Sequence, residues 1–258
     1  MEKKVTEQKF KFPTETVDLP SKGLIYPKDN PLSSGKVEMK YMTAKEEDIL
    51  TNQNYITQGN VLDKLIESLI VSDINLNDLI IGDKNALLIA SRVLGYGKDY
   101  KFRAFSSETR QVEDFTIDLT TLKDKHLDPK NLKEEGVNEF TFTLPTSKNQ
   151  ITFKLLTHGD EKKIEKEIKG LQKIKKDASP EVSTRLKYLI TSIDGDRESK
   201  TIREFVDNYL LAKDSRALRT RMNEIAPDID LKYISGDDGQ EDINIPISLT
   251  FFWPDAGV

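Results

Sequence analysis

Cysteine is absent from the chain, which removes disulfides, thiolate nucleophiles and cysteine-ligated zinc in one step. Histidine is nearly absent: only His126 and His158 can serve as imidazole bases or ligands. Neither has neighbours at metal-ligand spacing, so both are expected in structural or surface roles. There is no Gly-x-Ser-x-Gly elbow and no phosphate loop of the Walker type. A Ser-His-Asp site stays open at this level, because such triads assemble in space.

Long apolar runs are also missing. None approaches the roughly 20 residues that span a bilayer, and the first twelve residues, MEKKVTEQKFKF, lack the apolar core of a secretory signal. A protein retained in the cytoplasm that makes it, without a membrane partner, is expected. A surplus of positive charge is lacking as well. Net charge is −5, with 32% charged and 36% apolar residues, so electrostatics give no case for a nucleic-acid partner. The lysines between Lys162 and Lys176 alternate with Glu161, Glu165 and Glu167, the composition of a solvated helix face.

What is present is most distinct in GKVEMKYMTAKEEDIL, residues 35–50. Val37, Met39 and Tyr41 alternate with charged residues, the period of a half-buried strand. At Thr43 the pattern changes. Thr43-Ala44-Lys45-Glu46 fits a capping box, and Glu46, Glu47 and Asp48 place negative charge in the first helical turn.

With its approach, LPSKGLIYPKDNPLSSGKVEMKYMTAKEEDIL, this stretch resembles the baseplate hub assembly proteins of contractile-tailed, T4-like bacteriophages. The resemblance continues through VLDKLIESLI and IGDKNALLIASRVLGYGKDY and returns in IPISLTFFWPDAGV. It implies a late, non-enzymatic phage protein of the host cytoplasm, acting as a chaperone or subunit while the tail baseplate hub is built. Its partners would be hub proteins, and retention in the virion and self-association are left open. Many members of that family resemble a small zinc knuckle at the position of Ser106–Gln111. Here the loop reads SSETRQ, without a thiol.

Taken in order, the chain predicts an α+β fold in three parts. Residues 1–35 read as an extended arm punctuated by Pro13, Pro20, Pro27 and Pro31, yet rich in apolar side chains. Such an arm either lies on its own domain or orders on a partner. Residues 36–157 form an N-terminal α+β domain. In it, Val61–Ile70 and Lys84–Leu94 have helical spacing, Asp83 caps the second, and Gly95-Tyr96-Gly97 stops it. Tyr100–Phe105 with Val112–Leu119, and Phe140–Leu144 with Ile151–Leu155, read as hairpins expected to share one antiparallel sheet. Residues 158–258 form a helical C-terminal domain. Asp160 caps Glu161–Lys176, Pro180 opens a helix running to Ile193, Ser199–Leu211 is a third, and Ser215 caps Arg216–Ile225. Strands Ile229–Ile234 and Ile243–Phe252 close the unit. Asp194-Gly195-Asp196 and Gly236–Gly239 lack the spaced ligands of a calcium loop and read as acidic turns.

No cofactor or metal is implied. The contact elements expected for a hub partner are Leu24 and Tyr26 in the arm, Glu46 and Glu47 on the Thr43 helix, and the aromatic run Phe251, Phe252 and Trp253. Consecutive aromatics in a strand would face opposite ways, one set entering the core and the other docking, although a strand sealed under a loop would look the same. Two other classes remain: a permanent structural subunit of the virion baseplate, or a hydrolase with an unrecognised site.

Overall fold

The computed structural model describes residues 13–106, 109–174, 180–235 and 241–252. It is an α+β protein whose described strands all pair antiparallel. Strand β1 (Thr14–Asp18) pairs with β2 (Lys36–Lys40), Val17 opposite Val37. The loop between them is no extended arm. Its prolines fold the chain back, so that Leu19, Ile25, Tyr26 and Leu32 all enter the core. Gly23 sits at φ +77, and a Cβ there would lie 2.3 Å from the Ser33 carbonyl oxygen. Of the two readings of the arm, residues 13–35 follow the first: they pack on their own domain.

Helix α1 (Ala44–Thr51) starts at Thr43, whose backbone N–H donates to the Glu46 carboxylate at 2.9 Å. The polar TNQNYITQGN then forms a second helix, α2 (Gln53–Gln58), which the sequence pattern does not predict. Asn52 makes it possible by accepting the N–H groups of Asn54 and Tyr55. Helix α3 (Val61–Leu69) follows, then α4 (Ile81–Tyr96). Asp83 is not the cap of α4 but lies inside its first turn, buried.

Strands β3 (Asp99–Ser106) and β4 (Gln111–Asp118) form the expected first hairpin. The short strand β5 (Asp124–Lys125) precedes the second hairpin, β6 (Phe140–Thr143) and β7 (Gln150–Phe153). That hairpin does not join the first; it pairs with a strand from the C-terminal half.

Helix α5 (His158–Ile174) begins earlier than expected, because Thr157 and Asp160 cap it reciprocally at 3.1 and 3.2 Å. Helix α6 (Glu181–Leu189) ends four residues short of Ile193. Ile190–Ile193 leaves it as strand β8, completing the β6-β7-β8 sheet. Branched side chains at Ile190, Thr191 and Ile193 suit that role. Helices α7 (Ser199–Asn208) and α8 (Ala212–Ile225) follow, α8 starting after Leu211 and not at Ser215.

The closing segment departs most from expectation. Ile229–Ile234 divides into β9 (Asp228–Ile229), paired with β5, and β10 (Lys232–Ser235), paired with β11 (Glu241–Asn244). The chain then turns into a 3-10 helix, Leu249–Phe252, and not a strand. Phe251 meets Tyr100 edge-on at 4.7 Å, so the last residues fill the core of the first half. A single cluster of buried side chains runs from Leu19 to Phe252.

Candidate functional site

The residues expected to meet a partner do not converge. Tyr26 is buried: its hydroxyl donates to Asp83 at 2.6 Å, and the Ser21 hydroxyl donates to the same carboxyl at 2.6 Å. Burial raises the Asp83 pKa despite these bonds, and burial beside Asp83 raises that of Tyr26. Leu24 is half-buried. Glu46 is fully buried, held by Lys40 at 2.8 Å, Ser68 at 2.6 Å and Thr43. Burial acts to raise its pKa, but these donors outweigh it and hold the carboxyl at about 2.

Phe251 and Phe252 are completely enclosed. Arg92 explains why. Its buried guanidinium donates to the carbonyl oxygens of Phe251 at 2.9 Å, Gly97 at 3.0 Å and Asp99 at 3.4 Å, tying the 3-10 helix to the end of α4. Tyr26, Glu46, Phe251 and Phe252 are therefore framework, corrected from contact residues. Of the six that are described, only Glu47 is exposed; Trp253 lies outside the described residues.

Two other places gather chemistry. The first is a cleft of about 540 Å³ between α3, α4, α5 and α6. On its wall His158 is buried, with Nδ1 3.1 Å from Lys84 Nζ and Nε2 3.0 Å from an Asp63 oxygen. Nδ1 thus faces an ammonium that can only donate, and Nε2 faces the Asp63 carboxylate. Asp63 also takes Lys84 at 2.6 Å and Lys162 at 3.5 Å. Burial would raise its pKa, but the bonds from His158 and Lys84 bring it well below the usual carboxylate range. The lining cations Lys84, Lys162, Lys169 and Arg185 are matched by Asp63, Glu161, Glu165 and Glu181. Among the described residues lining the cleft there is no hydroxyl or thiol, and the imidazole has the Lys84 ammonium, itself ion-paired to Asp63, beside it. Its observable work is to pin α5 to α3 and α4. His126, by contrast, is exposed, with Nδ1 3.3 Å from the Pro20 oxygen.

The second place is the β3–β4 hairpin. Tyr100 and Phe102 point into the core opposite Ile117 and Phe115. On the other face, near the turn, Phe105 is paired with Val112, and they are 61% and 60% exposed. Sequence alternation alone placed Phe105 in this strand, but not on its open face. Among the described strands, β3 and β4 pair only with each other, so their outer backbone edges are not used in a sheet. An apolar pair beside an open edge is the geometry of a strand-mediated docking element.

Among the described residues, no group of three or more His, Asp or Glu side chains is placed to hold a metal ion. No helix among them is long and apolar enough to cross a membrane. Comparison with known proteins gives no match: no family model, no curated protein and no solved structure aligns with the chain.

Proposed function

We propose that the chain is a non-catalytic assembly factor of a contractile phage tail, binding hub proteins in the host cytoplasm while the baseplate hub is built. The observation that carries this reading is the resemblance running from Leu19 to Tyr100, LPSKGLIYPKDNPLSSGKVEMKYMTAKEEDIL and onward. The fold supplies a contact element for it. The Phe105–Val112 pair and the open edge of β4 would cover apolar or strand-edge surface on a hub component until its permanent neighbour displaces them. This takes the buried Tyr26, Glu46, Phe251 and Phe252 out of the contact and adds the first hairpin to it.

The reading has two tests. Quantitative mass spectrometry of infected-cell assembly intermediates and purified virions should find the chain in intermediates and lose it from particles. Few-copy retention in particles would make it a baseplate subunit instead, and absence from both would end the phage reading. Within the complex, Phe105→Asp with Val112→Asp should lower hub co-purification at least about tenfold, the loss of one small hot spot, while circular dichroism stays that of the parent.

A further inference from the structure

The face of α4 that reads as core in the sequence is only partly covered in the fold. Ala86 and Ile89 are buried, but Ala90, Val93 and Leu94, one and two turns on, are half-buried and line an open groove of about 470 Å³. Val17 and Tyr41 form one wall, Leu119 and Leu122 the other. The spacing of 86, 89, 90, 93 and 94 makes a continuous stripe about 12 Å long. Ala86 and Ala90 leave it shallow enough for another backbone to approach closely. A stripe of this length and depth suits about two turns of a helix laid along α4.

The rim defines the sign of the visitor. Among the described residues lining the groove, Glu15, Asp18 and Asp124 are carboxylates and none is a lysine or arginine. Asp18 reaches Lys36 at 3.5 Å in an exposed, screened pair, and Glu15 accepts from the Tyr41 hydroxyl at 3.2 Å. We infer that this groove is a second docking site, for an amphipathic helix of a partner protein that seats apolar side chains on Ala90, Val93 and Leu94 and sets Lys or Arg against Glu15, Asp18 and Asp124. It is separate from the β3–β4 hairpin and does not depend on it.

The probe is a fluorescein-labelled synthetic helix of about 14 residues, with Leu at helical core spacing and Lys elsewhere, titrated against the full chain by fluorescence anisotropy. A second peptide carries Glu in place of every Lys. Saturable one-to-one binding of the Leu/Lys helix is expected, with the Leu/Glu helix at least about tenfold weaker, as fits charge-selected docking. Ala90→Asp should abolish binding. Glu15→Lys with Asp124→Lys, at exposed positions that leave folding alone, should invert the preference between the two peptides. Binding that both variants leave unmoved would mean general adhesion to an acidic surface and would overturn the site, as would absence of saturable binding. Binding seen only after deletion of residues 1–12 would overturn the partner assignment and make the chain's own segment the occupant. Val112→Asp, on the hairpin, should change nothing here, so loss of hub binding and loss of this site are told apart.

Discussion

Glu46 sits where the first strand hands over to the first helix, and its surroundings decide how stability follows pH. Its carboxyl is held at about 2 against an ordinary 4.5 by Lys40, Ser68 and Thr43, working against burial. A depressed carboxylate stabilises the fold above its unfolded value, and that contribution is lost as pH falls from about 4.5 through about 2. The difference corresponds to roughly 3 kcal/mol at neutral pH. Glu46→Gln should therefore lower unfolding free energy by about 2–3 kcal/mol at pH 7, with the gap to the parent closing as urea titrations move toward pH 2. A gap independent of pH would mean that charge has no part in it. Tyr26 offers a different test. Its hydroxyl donates to Asp83 and accepts the Ile80 N–H at 3.1 Å. Tyr26→Phe leaves that buried N–H without its acceptor and should cost about 1–3 kcal/mol. The proposed hub binding should persist in the folded variant, since Tyr26 is buried framework.

Glycines report how closely elements approach. In α4, Gly82 lies under the segment leading into β9, and a Cβ there would fall 1.9 Å from the Pro227 carbonyl oxygen. A backbone atom cannot move aside as a side-chain end can, so Gly82→Ala should destabilise by roughly 3 kcal/mol. Gly170 in α5 has nothing within 4 Å of its virtual Cβ. Gly170→Ala should gain roughly 0.5–1 kcal/mol from reduced unfolded-state freedom and better helix propensity. Thermal melts of the two single variants, moving in opposite directions, check both. These elements also mark what was readable beforehand. The Thr43 capping box, the β3–β4 hairpin and the apolar side of α3 are local patterns, and local patterns survive into the fold. Strand β8 was not legible, since Ile190 and Ile193 continue the helical spacing of Leu186 and Leu189 and only pairing with β7 makes them a strand. Nor was the fate of Phe251 and Phe252, which depends on Arg92 some 160 residues earlier. Of the candidate site, Phe105 and Val112 were visible as strand residues, but their exposure follows from which hairpin face the core covers.

At the scale of the whole molecule, the C-terminal segment is the part that makes one body of the chain. After α8 it returns to the first half three times: β9 pairs with β5, Ile243 and Ile245 are buried in the shared core, and Phe251 and Phe252 pack beside Tyr100. Arg92 adds the polar side of the same closure, its guanidinium satisfied by carbonyl oxygens from α4's end, β3 and the final 3-10 helix. Removing residues 228–258 would strip apolar cover from Tyr100 and leave a buried cation without one of its acceptors. Each buried phenylalanine lost costs about 3–5 kcal/mol, and an unsatisfied charged donor adds to that. Two such residues already approach the 5–15 kcal/mol that a domain of this kind has in total. The truncated chain should therefore lose cooperative unfolding in its first half as well as its last, seen as a broad, low-amplitude urea transition and rapid proteolysis within α4 and the β3–β4 hairpin. The full chain should melt in one transition. A truncated chain that keeps a sharp transition would mean that residues 13–157 hold a core of their own, and the closing segment would then be an appendage rather than the last piece of the fold.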